Sequence, residues 1–178
     1  MKNQLTKQLV LSGLFIALGI ILPMVFHVFG GGVIFLPMHI PVIIAGFFLS
    51  VPYALIVGVL TPLLSSLLTG MPPVFPVLPL MMFELATYGV IASFFYRKCN
   101  MNVYVSLIVS MVCGRIMAGV VVWVLATFFM AKLPGPIIFI TGTVVKSIPG
   151  IIIQLIFIPA VVKILSKNQI VNQAQNVA

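Results

Sequence analysis

The chain of 178 residues is 62% hydrophobic and only 6% charged, with a mean hydropathy of +1.34. A water-soluble domain carries about 25% charged residues, so a soluble globule is excluded and an integral membrane protein is left. The net charge of +8 comes from nine cations placed singly or in pairs, mostly at the ends of apolar runs. No aromatic-interleaved basic patch exists, so the expected surroundings are membrane lipid and not nucleic acid.

A helix of about 20 apolar residues crosses a hydrocarbon core of about 30 Å, and Gly and Pro mark the breaks between such helices. The first predicted span covers residues 8–28 and ends at Gly30-Gly31-Gly32. Lys2 and Lys7 ahead of it imitate a signal peptide, but no cleavage-type site follows, and the expectation is a retained span. The second, 36–50, lies between Pro37 and Pro52; at 1.5 Å per residue it is only about 22 Å long. It must be extended irregularly, sit in thinned bilayer, or be buried among its neighbours. The third covers 53–69 with Pro62 inside, the fourth 77–96, the fifth 103–131 and the sixth 137–165. The expected fold is therefore all-α, a six-helix transmembrane bundle over residues 1–165, with a polar, frayed or disordered cytoplasmic tail over 166–178. Cys99 lies beside a basic loop and Cys113 lies mid-helix, so neither a disulfide nor a metal site is expected.

Loops bearing Lys and Arg near span ends stay in the cytoplasm. In a six-span arrangement one side collects Lys2, Lys7, Arg97, Lys98, Lys163 and Lys167, and the other only Lys132. Both termini are thus expected in the cytoplasm. Arg115 and Lys146 fall within spans, as does Glu84, the only acidic residue in the chain. An ionisable group at membrane depth is costly, which makes each of the three a functional candidate.

Residues three and four apart share a helical face. Glu84 then lies with Leu80, Met81, Thr87 and Tyr88, and Arg115 with Met111, Ala118 and Gly119. Lys146 lies with Gly142 and Thr143, next to Ser147, with Gln154 two turns further on. Glu84 could serve only to lock helices together by pairing with a cation. One carboxylate cannot neutralise both cations, however, so about one positive charge is left over, and an anionic ligand would supply its partner. Arg115, whose planar fork suits a carboxylate, is the expected partner of Glu84, and Lys146 the expected ligand contact. His27 and His39 lie near outer span ends, where histidine is ordinary; His39 is kept as a binding candidate. Ser12, Gly13 and Ala17 form a small-residue face on the first helix, a pattern that permits close helix approach.

Gly142-Thr-Val-Val-Lys146-Ser147 resembles a phosphate loop superficially, but Val145 stands where glycine is needed and the setting is an apolar helix. There is no H-E-x-x-H, no G-x-S-x-G and no metal-ligand spacing. Neither an enzyme nor a cofactor is expected, and no duplication of a self-sufficient secondary transporter is visible.

Three segments carry a family likeness: Leu36-Pro-Met-His-Ile-Pro-Val-Ile-Ile-Ala-Gly46, Leu60-Thr-Pro-Leu-Leu-Ser-Ser-Leu-Leu-Thr-Gly-Met-Pro-Pro73 and Phe83-Glu-Leu-Ala-Thr-Tyr-Gly89. With the chain's size, spans and basic ends, they resemble the substrate-binding S component of energy-coupling factor (ECF) vitamin transporters. The resemblance implies a vitamin receptor in the bacterial plasma membrane with an outward-opening pocket, docking on a transmembrane T component and two ATPase subunits, and toppling in the membrane during transport. The family's A-x-x-x-A docking pattern corresponds here to Gly13-x-x-x-Ala17, where glycine keeps the face small. Pantothenate, small and polar with one carboxylate, is the leading substrate; riboflavin, pyridoxine and cobalamin are alternatives, and a ligand-free structural membrane protein is the alternative of another class. The candidate binding residues are Glu84, Tyr88, Arg115, Lys146, Ser147, Gln154 and His39, and the candidate docking residues Ser12, Gly13 and Ala17.

Overall fold

The structure of the protein, a computed structural model, describes residues 2–28, 32–129 and 135–175. Among these residues there is no strand. The helices are α1 (Lys2–Val28), α2 (Gly32–Phe35), α3 (His39–Phe48), α4 (Val51–Thr69), α5 (Val77–Ser93), α6 (Val103–Phe128), α7 (Pro136–Lys146) and α8 (Ile148–Gln175), with a π-helical turn, Phe94–Lys98, extending α5. Among the described residues, five stretches are long and apolar enough to cross a membrane: Gln4–Phe26, Val51–Thr69, Val77–Lys98, Val103–Phe128 and Ile148–Lys167.

The second of the six expected spans is instead the 10-residue α3, about 15 Å long and too short to cross. Of the three outcomes open to it, burial is the one realised. His39, Pro41 and every residue from Val42 to Phe47 are buried, as befits a helix apolar on all sides. A helix that ends inside a bundle leaves carbonyls that lipid cannot satisfy. Here Ser93 Oγ donates to the Leu49 carbonyl at 2.8 Å and Arg97 Nη1 to the Phe48 carbonyl at 2.8 Å. Gln8 Oε1 accepts the Ser50 N–H at 3.0 Å, so α1 closes the α3–α4 turn. Arg97, expected only as a topology determinant, thus also caps a helix.

The expected sixth span is likewise divided, because α7 ends at Lys146 and α8 starts at Ile148. The break falls at Ser147, two residues ahead of Pro149, which has no N–H to bond the preceding turn. The tail beyond residue 165, expected frayed or disordered, continues α8 as helix to Gln175. Extending an existing helix costs far less than starting one. The fifth span closes at Phe128, and Ala131 and Lys132 lie outside the described residues.

The bundle is organised on α5, which packs against α3, α4 and α6. Small residues allow backbones to touch there: a Cβ on Gly89 would lie 2.8 Å from the Ala54 carbonyl oxygen, and one on Gly46 would lie 2.7 Å from that of Gly89. The core joins Val42, Ile43 and Phe47 of α3 to Val57, Leu85, Leu107 and Ile158. Outside it, Tyr104, Ile108, Val112, Ile116, Val120 and Trp123 of α6 are exposed at helical spacing, the apolar stripe that lipid would cover.

Candidate functional site

At the C-terminus of α4, Gly70 adopts a left-handed conformation (φ 73°) and its N–H bonds the Ser66 carbonyl, a common helix stop. The following turn is fastened back to the helix, because Ser65 Oγ donates to the Met71 carbonyl and Ser66 Oγ to that of Pro72, both at 2.7 Å. This turn, the C-terminal half of α1, the start of α3 and the helix α7 surround a cavity of about 770 Å³, within the usual range for small-molecule sites. It lies over the first turns of α5, at the end of the bundle opposite Arg97 and Lys98.

Most of the wall is apolar and rich in methionine and proline, with Met24, Met38, Met71 and Met81 among its residues. The polar groups are few: His39, Ser65, Thr69, Glu84, Arg115, Thr143, Lys146 and Ser147. Glu84 is 3% exposed, and its Oε1 lies 2.8 Å from Arg115 Nη1 and accepts the Tyr88 hydroxyl at 2.9 Å. Of the two intramembrane cations, then, Arg115 is the one that reaches the carboxylate. Its Nη2 donates to Ser147 Oγ at 3.3 Å, and Ser147 Oγ donates to the Thr143 carbonyl at 2.7 Å. One guanidinium thereby ties α5 and α6 to the junction of α7 and α8.

Tyr88 stands behind Glu84, off the cavity wall, and is accommodated because position 114 is glycine; a Cβ there would run into its ring. His39 is 4% exposed and lines the cavity. Its Nε2 is 3.7 Å from Glu84 Oε1, beyond hydrogen-bond range, and neither ring nitrogen has a hydrogen-bond partner among the described residues. Lys146 is exposed on the wall. With Glu84 the only acidic side chain and already engaged by Arg115, Lys146 is left without a carboxylate partner among the described residues.

Gln154 is 1% exposed and off the cavity wall, and its Nε2 has no hydrogen-bond partner among the described residues. The spacing that grouped it with Lys146 assumed one continuous helix; the break at Ser147 resets the helical phase. The side chain of His27 lies outside the described set. On α1, Gly13 and Ala17 are exposed, and a Cβ on Gly13 would meet nothing within 4 Å. Ser12 is turned inward, its hydroxyl donating to the Gln8 carbonyl at 2.8 Å. Sequence reasoning gave no role to Ser65 or Thr69, which lie on the wall; the available signal was a Ser-Ser and Thr cluster directly ahead of a Gly-x-Pro-Pro turn.

The family of ECF transporter substrate-specific components matches the chain over residues 7–162, well over half its length. The chain belongs to that family. Comparison with curated proteins and with solved structures returned no match. As an ECF S component, it is a multi-pass membrane transporter subunit, and the family implies a small-molecule substrate and partnership with a T component and ATPase subunits.

Proposed function

We propose that this S component captures a small anionic vitamin, with pantothenate the leading candidate, and delivers it for ATP-driven uptake through a T component and two ATPases. The observation that carries the reading is the charge distribution at the cavity: Arg115 is committed to Glu84, whereas Lys146 lines the cavity with no carboxylate paired to it among the described residues. A ligand carboxylate completes the pairing, and a charge-assisted hydrogen bond of this kind is worth about 1.5 to 3 kcal/mol. Thr143 and Ser147 flank Lys146 and offer further polar contacts.

The Lys- and Arg-bearing end of the bundle is taken as cytoplasmic, in keeping with the bias of cations toward that side, so both termini are cytoplasmic and the cavity opens outward in the bacterial plasma membrane. The exposed Gly13 and Ala17 face of α1 is the surface assigned to the T component, since its small side chains permit close helix approach. Riboflavin, pyridoxine and cobalamin are the competing substrates. Binding of pantothenate, its amide analogue without the carboxylate, and these three vitamins to the purified protein, with mass spectrometry for any co-purifying molecule, tests the reading. Preference for pantothenate over the amide is the expected result. Equal binding of the two would leave a neutral vitamin as the better substrate.

A further inference from the structure

The end of the cavity formed by α3 and α5 holds polar atoms that the protein itself leaves unused. His39 is buried on the cavity wall, and neither ring nitrogen has a hydrogen-bond partner among the described residues. A buried polar group in that condition is costly unless something else completes it. Its position is nevertheless well defined, since the ring packs tilted against Tyr88 at 5.5 Å between centroids. Beside it, Arg115 Nη1 and the Tyr88 hydroxyl both address Oε1 of Glu84, which also lines the cavity. An ionised carboxylate has acceptor sites on both oxygens, and a neutral imidazole offers one donor and one acceptor.

We propose that His39 and Glu84 together read a hydroxyl group on the ligand, making this pole of the cavity a specificity determinant separate from Lys146. The inference rests on the vitamin-binding reading above and adds a second chemical requirement to it. A hydroxyl both donates and accepts, so it can take a hydrogen bond from the imidazole and give one to the carboxylate in the same pose. At 3.7 Å from Glu84 Oε1, His39 Nε2 is beyond a direct bond of about 2.7 to 3.2 Å, which leaves the imidazole available to a ligand group. A plain amine or second carboxylate fits less well, because the first would crowd Arg115 and the second would face Glu84. Met38, Met81 and Leu80 belong to the apolar wall of the same cavity, and methionine adapts readily to a branched aliphatic body. The ligand class is therefore a hydroxylated, branched aliphatic carboxylate, of which pantothenate is one example.

The test measures affinities of the full chain, purified in detergent, for pantothenate, for the matching N-acyl-β-alanine lacking both hydroxyls, and for the pantothenate amide, with riboflavin and pyridoxine as neutral hydroxylated probes. The parent should bind pantothenate roughly ten- to hundredfold more tightly than the dehydroxy compound. His39→Phe should close that gap while leaving the preference for carboxylate over amide in place, and His39→Gln, which keeps a donor and an acceptor, should retain part of it. Equal binding of pantothenate and the dehydroxy compound by the parent overturns the hydroxyl assignment and leaves the anionic reading standing. Equal binding of pantothenate and its amide, with the dehydroxy compound still rejected, does the reverse. If no probe binds the folded protein, both are wrong.

Discussion

Arg115 Nη1 lies 2.8 Å from Glu84 Oε1, and the same guanidinium reaches Ser147 Oγ through Nη2. This contact joins the helix at the centre of the bundle to the break that positions Lys146. Because the carboxylate is buried, the pair must stay intact for either member to be tolerated in the bundle. Removing one member of a buried pair typically costs about 3 to 5 kcal/mol, since the other charge is stranded. Glu84→Gln keeps the volume and removes the charge, so it should lower thermal stability in detergent and weaken ligand binding. A variant that melts and binds like the parent would remove Glu84 from its organising role.

The caps on α3 give a second prediction, independent of the cavity. Ser93 is buried and its hydroxyl serves the Leu49 carbonyl. Ser93→Ala leaves that acceptor unsatisfied, with an expected destabilisation of about 1 to 3 kcal/mol. Thermal unfolding measured alongside ligand affinity separates the effects: stability should drop while affinity in the folded fraction is retained. An unchanged melting temperature would mean that α3 does not depend on this bond.

How much of this could be read from the sequence varies from residue to residue, and for physical reasons. The pairing of Glu84 with Arg115 was accessible because a single acid among intramembrane cations has few possible partners. The long spans follow from hydropathy, which records length and polarity well. Hydropathy does not record depth, so α3 looked like a span although it is a short helix enclosed by others. Pro149 was visible, yet the apolar run passes through it unbroken, and only packing decides between a kinked helix and two helices. That decision moved Gln154 off the face it would have shared with Lys146. The hydrogen-bonding state of His39 depends on what surrounds it in space and leaves no trace in its sequence neighbours.

The α1 face provides a third prediction, concerned with transport and not with binding. Gly13 has open space where a side chain would go, so Gly13→Leu should fold and bind ligand as the parent does. A bulky residue on a surface that needs close helix approach should nevertheless impair docking on the T component. The expected outcome is normal ligand affinity with loss of ATP-driven uptake in the reconstituted transporter. Normal uptake by Gly13→Leu and Ala17→Leu would move the docking surface elsewhere, and lost binding would tie this face to the bundle interior.

Lys146→Met and Arg115→Met should part company, because the two cations have different surroundings. Arg115 has a carboxylate at 2.8 Å and a hydroxyl at 3.3 Å, so its loss strands Glu84 inside the bundle and should act mainly on stability. Lys146 is exposed to the cavity, so its loss strands nothing and should leave the melting temperature of the ligand-free protein close to that of the parent. Its effect should appear on an anionic ligand instead: a weakening of pantothenate by roughly ten- to hundredfold, as expected for one charge-assisted hydrogen bond, with little change for the amide. Isothermal titration of both variants with both compounds, beside ligand-free melting curves, makes the comparison. If Lys146→Met binds pantothenate like the parent, the unpaired cation is not the anion site. If Arg115→Met is as stable as the parent but loses pantothenate, the roles of the two cations are exchanged.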